Sequence, residues 1–365
     1  MEGPRPLFDH EMREFVDFLS THLRPDHSWS IADEYPLAIH GTNLNNVRVM
    51  KEENAFVSAA VMKPLVIKCP AGLFKAAAIG SVITAPDHRN QGLSHRVLEA
   101  SLEGARAHGC EFAILWTNLF DFYRKLGFEL AGTEISLTIP EGFTSPEAAP
   151  GLRFMQSSRV DAEAMLRLYN QHTTGTVRTA EDIRKFLSIP NARVYTAWDE
   201  QNRLQAYLVE GKGADFTGYI HEWAGGVSKI LALLSFAVQD QARSLTLISP
   251  AHSSNLIRQM TAAGCKEHSG VLGMVKILNA PSFLTKIKKF VRGMGVEDVV
   301  LEAREGKYYL GTKNEIFSTD IESDLVRLIF GPVKASALHN FDKHTAETFE
   351  KLFPIAMWIW GWDSV

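Results

Sequence analysis

The chain has 365 residues, 45% of them hydrophobic and 22% charged, with a formal net charge of −4. A chain of this length exceeds what one ordinary core organises, so two or three domains are expected. The mild acidity excludes the basic field a nucleic-acid partner requires, and no apolar run approaches a membrane span.

Residues 7–23 read as an amphipathic helix with Phe8, Met12, Phe15, Val16, Phe18, Leu19 and Leu23 along one side and Asp9 near its start. Residues 47–50 and 55–67 read as strands, and residues 72–85 as a third that runs into a loop. The loop carries Arg89-x-x-Gly92-x-Ser94 and opens a helix over 91–108, on which Leu93, Val97, Leu98, Leu102 and Ala105 share a face. Such a loop turns several backbone N–H groups toward one point at the positive end of a helix, and Gly92 removes a side chain that would block a phosphate. The spacing alone fits an ordinary strand-to-helix turn equally well. A strand at 112–116, a short helix at 119–126 and a closing strand at 128–139 complete the first unit. Strands with helices on their faces make an α+β or α/β layer. The proline-dense stretch 140–150 reads as a linker.

Residues 151–280 repeat a similar order. A strand at 152–155 precedes helices at 161–172 and 180–188 and strands at 193–199, 204–210 and 217–223. A mostly buried helix at 227–241, a strand at 245–248, a helix at 254–263 and a strand at 271–278 follow. This reads as a weak internal duplication. The place equivalent to the loop, residues 222–227, has glycines but no Arg or Gln at the matching offset, so a tight turn without coenzyme is expected there. Residues 281–365 form a third unit. It holds a basic amphipathic helix over 282–291, read as a solvated face with a membrane surface as the alternative. A hairpin turning at 304–306 and helices at 323–330 and 345–352 follow. The chain ends with Trp358, Trp360 and Trp362 at alternate positions, which is an apolar liability unless docked on protein. A tail buried against another domain is expected, an edge strand of its own domain being the alternative. Cys69, Cys110 and Cys265 are odd in number and far apart, arguing against a disulfide framework and fitting a reducing cytoplasm. The 13 His show no ligand spacing, so no metal is expected. Residues 1–6 lack the build of a signal peptide.

The block Val82-x-x-Ala85-Pro86-x-His88-Arg89-x-x-Gly92-Leu93, followed by Phe122-Tyr123-Arg124-Lys125-Leu126-Gly127-Phe128, resembles the acetyl-CoA site of the GNAT N-acetyltransferase superfamily. The three-part order resembles, more narrowly, the enhanced-intracellular-survival (Eis) family: an active GNAT unit (1–140), a degenerate GNAT-like unit (151–280) and a sterol-carrier-protein-like unit (281–365). Ala85-Pro86-x-His88-Arg89-x-x-Gly92-Leu93 and Tyr123-x-x-x-Gly127 carry that resemblance. It implies an acetyl-CoA-dependent N-acetyltransferase acting on a primary amine, with aminoglycoside-like, polyamine-like or lysine-like acceptors.

In such a site, backbone N–H groups at Val82, Ile83 and Thr84 would hold the pantetheine arm and polarise the thioester. Those of Asn90, Gln91, Gly92, Leu93, Ser94 and His95 would hold the pyrophosphate, with Arg89 adding charge. Asn118 and Leu119 open the short helix and are expected at the coenzyme. Tyr123 is the candidate acid, as the family often uses it, and a core aromatic is its alternative. The strand at 72–85 contains no Asp, Glu or His, so no base precedes the loop. The Eis resemblance implies that the C-terminal carboxylate, here on Val365, is the proton acceptor, with Asp363 as a fallback. A homo-oligomer is left open. The reading from a different class is a non-catalytic protein that binds acyl-CoA or a hydrophobic ligand.

Overall fold

The computed structural model describes residues 1–146 and 149–365. Glu147 and Ala148, inside the expected linker, lie outside the described residues. Two large sheets and one small one carry the chain. The first has eight strands, in the order Glu2–Pro6, Val47–Glu52, Ala55–Cys69, Gly72–Thr84, Phe112–Leu115, Gly273–Ile277 and Glu129–Ala131, with Gly175–Thr176 paired to Ala55–Cys69. The second has seven, in the order Lys266–Gly270, Glu134–Ile139, Leu245–Pro250, Asp215–Gly225, Leu204–Lys212, Arg193–Trp198 and Arg153–Gln156. The third is a meander of Val299–Arg304, Lys307–Thr312 and Ile316–Thr319.

The expected closing strand at 128–139 is two strands in different sheets, which corrects the sequence reading. Gly132, at φ +69°, breaks the run. A Cβ there would lie 2.7 Å from the Leu272 Cβ, so the sharp turn needs glycine. Beyond it, Glu134–Ile139 crosses to the second sheet between Leu245–Pro250 and Lys266–Gly270. The strand expected at 271–278 crosses the other way. Gly273–Ile277 pairs antiparallel with both Phe112–Leu115 and Glu129–Ala131 in the first sheet. It covers an edge of Phe112–Leu115 that would otherwise be an open template for pairing. Divisions of the chain at 140 and 280 therefore do not coincide with sheet membership.

The core is also shared. Phe74 and Phe112 of the first sheet meet Phe283 and Phe330 of the third unit, with Phe112 and Phe330 ring centroids 5.6 Å apart. The helix Ala280–Gly293 buries Phe283, Leu284, Ile287 and Val291 in that core. Its apolar face is thus covered by protein, and Lys286 pairs with the buried Glu111 at 2.6 Å.

Helix Met12–Leu23 begins after a 3-10 turn at Asp9–Glu11. Glu11, rather than Asp9, serves that end. Its carboxylate accepts from the Phe8 N–H, from Arg5 and from Lys51. The Arg5 hydrogen bond foremost brings its pKa down to about 2. Residues 24–46, for which the sequence suggested no element, hold the short helix Ile31–Glu34 and a 3-10 segment Gly41–Asn46.

Residues 353–360 form no strand, and the edge-strand alternative falls. Trp358, Trp360 and Trp362 are all buried. Trp362 packs among Met165, Ile183, Phe186 and Tyr207 of the second unit, stacking on Phe186 at 5.3 Å. Trp360 meets Trp223 edge-on at 5.0 Å and His172 at 4.3 Å. The tail is held by the second unit and its end reaches the first.

Candidate active site

The site follows from a splay in the first sheet. Gly72–Thr84 and Phe112–Leu115 pair in parallel at Ala76, Ala77 and Ala78 opposite Phe112, Ala113 and Ile114. Beyond Ala78 the longer strand continues without that partner. A bulge marks the departure. Between Val61↔Gly80 and Ala59↔Ile83 the Gly72–Thr84 strand carries one extra residue, and Ser81 takes φ +48°. Bulges redirect backbone groups away from a ladder and so free them for a ligand.

A cavity of about 620 Å³ opens at this splay. Gly80, Ser81 and Val82 line it, together with Trp116, Thr117, Leu119 and Tyr123. The remaining wall comes from three distant places. Leu23 ends the first helix, and Arg24, Ile31 and Tyr35 follow it. Asp215 and Phe216 start a strand of the second sheet. Ser364 and Val365 end the chain.

Of the residues singled out from sequence, Val82, Leu119, Tyr123 and Val365 meet in this cavity. The others lie around it. Ile83 turns into the core under the first helix, and the Thr84 hydroxyl bonds that of Ser58 at 2.9 Å. Asn118 is exposed and does not line the cavity. Arg89, Asn90 and Gln91 lie exposed on the loop, where Arg89 donates to the Thr84 carbonyl at 3.5 Å. Asn90 at φ +62° and Gly92 at φ +75° turn the chain into helix Leu93–Ala107. N–H groups in its first turn, at Leu93, Ser94 and His95, have no preceding turn to bond. A Cβ on Gly92 would meet nothing within 4 Å, so the space above that turn is open to a phosphate.

Tyr123 is buried and packs edge-on against Phe122 and Phe128, with centroids 4.9 and 5.9 Å away. Burial pushes its phenol pKa up, so it stays protonated at neutral pH and is competent to donate. No hydrogen bond holds its hydroxyl among the described residues. The backbone carbonyl carbon and oxygen of Val365 lie against Gly80. A Cβ on Gly80 would sit 2.1 Å from both the carboxyl carbon and its oxygen. Only a glycine on that strand admits the end of the chain.

A buried clamp sets that end. Arg178 donates through Nη1 and Nη2 to Glu222, at 2.6 and 3.0 Å, and through Nε and Nη2 to Asp363, at 3.0 and 2.6 Å. Its guanidinium lies 4.0 Å from the Tyr169 ring centroid. Burial opposes its charge, but Asp363 and Glu222 outweigh that and hold its pKa well above the usual value. Asp363 is thereby committed to Arg178 and Thr176 and does not line the cavity, so the fallback base is a structural residue. Lys212 donates to the carbonyls of Gly361 and Ser364 and to the Ser364 hydroxyl, at 3.0, 2.7 and 3.0 Å. Burial brings its pKa down to about 7.

Two histidines complete the clamp. His172 Nε2 lies 2.8 Å from the Trp223 carbonyl, and His221 Nε2 lies 3.0 Å from that of Gly211. A carbonyl only accepts, so in each ring Nε2 carries the proton. Burial lowers their pKa values to about 4 and about 3. Both stay neutral in the folded chain and protonate near pH 6.5 when unfolded. The unfolded state therefore binds more protons between pH 6.5 and about 4, and stability falls as pH drops through that window. Each histidine contributes about 1.4 kcal/mol per pH unit. The melting temperature is expected to fall steadily from pH 6.5 to 4, and less so in His172→Phe. A flat profile would sink this account.

Residues 4–131 match the family model described as an acetyltransferase (GNAT) domain. This part of the chain is a GNAT acetyltransferase domain. No curated protein matches the chain by sequence. Several solved structures share its fold along nearly its whole length. An N-acyltransferase candidate from Enterococcus faecalis V583 covers 95% of both chains at 15% identity and TM-score 0.68. A GCN5-related N-acetyltransferase from Kribbella flavida covers 97% of both at 14% and 0.65. Eis1 from Mycobacterium abscessus covers 97% of this chain and 96% of its own at 12% and 0.63. At such identities the likeness is one of fold. Among the described residues no helix is long and apolar enough to cross a membrane, and no group of three or more His, Cys, Asp or Glu is placed to hold a metal ion.

The acetyltransferase domain does not build its cavity alone, since Asp215, Phe216, Ser364 and Val365 complete the lining, and sequence reasoning missed part of the wall inside and outside the domain. Arg24, Tyr35, Asp215 and Phe216 were not singled out, nor were Arg178 and Lys212 behind the tail. A weak signal existed for two of them. Asp215-Phe216 follows Gly213 and precedes Gly218 at a hairpin tip, where binding residues concentrate. Trp116 directly follows a central strand that runs parallel to its neighbour, at the end where open sheets place ligands.

Proposed function

We propose that the chain is an acetyl-CoA-dependent N-acetyltransferase that transfers the acetyl group directly to a primary amine. What supports this is one observation: Val82, Tyr123 and Val365 line a single cavity where two central strands part. In this reading backbone N–H groups from Val82 to Thr84 hold the pantetheine arm and polarise the thioester carbonyl. The turn from Asn90 to His95, with Arg89, binds the pyrophosphate, and Asn118 and Leu119 flank the coenzyme. The amine nitrogen forms a bond to the carbonyl carbon as the C–S bond breaks. Tyr123 returns a proton to the departing thiolate. The terminal carboxylate of Val365 attracts the ammonium group and takes its proton, directly or through water. A carboxylate of ordinary pKa is a weak base for an ammonium, so attraction and positioning carry most of its effect. Aminoglycoside-like, polyamine-like and lysine-like amines are the acceptors the Eis resemblance implies.

The domain reading goes with it: an active unit over 1–140, a linker at 141–150, a degenerate GNAT-like unit over 151–280 and a sterol-carrier-protein-like unit over 281–365, in a cytoplasmic protein. The second unit supports the first and walls its acceptor side.

Release of free thiol from acetyl-CoA in the presence of amines tests the reading. Tyr123→Phe keeps the ring stack and is expected to lower kcat about 100-fold, with the KM for acetyl-CoA unchanged. An unaltered kcat would remove Tyr123 as the acid. Binding of acetyl-CoA without thiol release for any amine would leave a binding protein instead.

A further inference from the structure

We propose that Glu134 takes the proton of the acceptor ammonium group, through water held in a chamber next to the reaction cavity. The inference rests on the transfer reading above and adds a base that does not depend on the end of the chain. The chamber has a volume of about 60 Å³. Trp116, Phe216 and Ser364 line both it and the larger cavity, so the two adjoin at those side chains. None of the three is fully buried, and solvent reaches that junction.

The crossing at Gly132 puts Glu134 there. It is the first residue of Glu134–Ile139, opposite Pro250 on one side and Gly270 on the other. Its carboxyl group lines the chamber with Ile248, Leu272 and Ile359, and its one hydrogen bond is from the Ser136 hydroxyl, at 3.4 Å. Two other lining residues carry a buried polar atom without a partner among the described residues. They are His221, at Nδ1, and Trp358, at its indole nitrogen. The His221 proton is on Nε2, so Nδ1 accepts, whereas the indole only donates. A carboxyl group, an unmet acceptor and an unmet donor around one space are what ordered water satisfies. A water needs about 10–15 Å³ and two to four polar partners, so more than one fits.

No cation compensates Glu134. The titratable groups around the chamber and on the elements packed against Glu134–Ile139 are His221, His252, Arg258, Lys266, Glu267 and His268. His221 is neutral, the other five are exposed, and none pairs with Glu134 among the described residues. Burial therefore pushes the Glu134 carboxyl up to about 7, which suits a base working at neutral pH. The ammonium group gives its first proton, by way of water, to the Glu134 carboxylate, and the amine becomes nucleophilic. Nitrogen then bonds to the thioester carbon and the C–S bond breaks. Tyr123 protonates the thiolate, and the second proton on nitrogen restores the phenol. Glu134 releases its proton to solvent before the next turnover.

The test is kcat by thiol release from pH 6 to 9, at saturating acetyl-CoA, for spermidine, kanamycin and Nα-acetyl-lysine amide. Below pH 7 Glu134 is increasingly protonated and cannot accept, so kcat is expected to fall about tenfold per pH unit there and to level off above. Glu134→Gln is expected to lower kcat about 100-fold at pH 7 and to abolish the break, so that the rate climbs through pH 9 and the loss shrinks. A structural role would lower the rate evenly at every pH. Sodium formate is expected to raise kcat of Glu134→Ala about tenfold over sodium chloride at equal ionic strength, by supplying the missing carboxylate. A wild-type profile with no break between pH 6 and 8 overturns the proposal even if neither variant folds, and so does a break that persists in Glu134→Gln. Either result leaves acetyl transfer intact. No thiol release with any of the three amines overturns the transfer reading, and this inference with it.

Discussion

Gly80→Ala is expected to slow acetyl transfer about 100-fold while acetyl-CoA binding changes less than about threefold. Gly80 does not hold a left-handed backbone, so alanine fits its conformation without strain. Its methyl carbon would instead fall 2.1 Å from the Val365 carboxyl carbon and oxygen, and the chain end must move. The substitution thus displaces the carboxylate without altering its chemistry. Three companions separate position from charge. Deleting Ser364 and Val365 removes the group, amidating Val365 removes its charge, and fusing Gly-Gly-Ser to Val365 moves the charge away. All four are expected to lower kcat together, read by thiol release, with coenzyme affinity followed by calorimetry. Full activity after deletion and amidation would take Val365 out of the mechanism.

Arg178→Ala is expected to destabilise the chain by about 3–5 kcal/mol, the range for removing one partner of a buried ion pair. Two carboxylates, on Glu222 and Asp363, would then be buried without a counter-charge. The relief is to expel Asp363, and with it Trp362 and the last two residues. Urea unfolding measures the loss, and a red shift of tryptophan emission before the main transition reports tail release. Arg178→Lys is expected to rescue little, because Nε, Nη1 and Nη2 act in one plane on two carboxylates and an ammonium group cannot copy that. Glu222→Gln combined with Asp363→Asn should recover part of the Arg178→Ala loss, since no uncompensated charge then remains. A wild-type unfolding midpoint in Arg178→Ala would mean that the clamp contributes nothing.

The two results are linked through the tail. If Asp363 leaves its seat, Val365 leaves Gly80, so Arg178→Ala should also lower kcat. Arg178 does not line the cavity, which makes it a positioning residue. The rate loss should therefore shrink at low temperature or low urea, where the tail redocks, whereas the loss from amidation should not.

The places of Val82, Tyr123 and the turn at Asn90 and Gly92 were legible in the residues because their determinants are local. Val82, the turn at Asn90 and Gly92, and Tyr123 lie within about forty residues, and each is set by a strand end, a helix start or a short turn. The three tryptophans near the end likewise announced burial, as no solvated strand tolerates them at that spacing. The rest of the cavity lining was not legible. Leu23, Arg24 and Tyr35 meet Asp215, Phe216 and Val365 only because the hairpin at Gly213 packs on Glu34, where a Cβ would lie 2.2 Å from the Glu34 Cγ. Nothing in the periodicity near 24–35 or 213–216 records that contact.

Sheet membership shows the same division. By itself, the sequence determined that 128–139 and 271–278 are extended, since alternation and β-branched residues are properties of a few neighbours. Which sheet each strand joins was decided by tertiary structure, through one glycine turn at Gly132 and an open edge on Phe112–Leu115 that Gly273–Ile277 covers. Hydrogen-bond partners across a sheet are chosen by packing, and packing couples residues that the chain holds far apart. The turn at Asn90 and Gly92 belongs to the first kind of information, and the seat of Val365 against Gly80 belongs to the second.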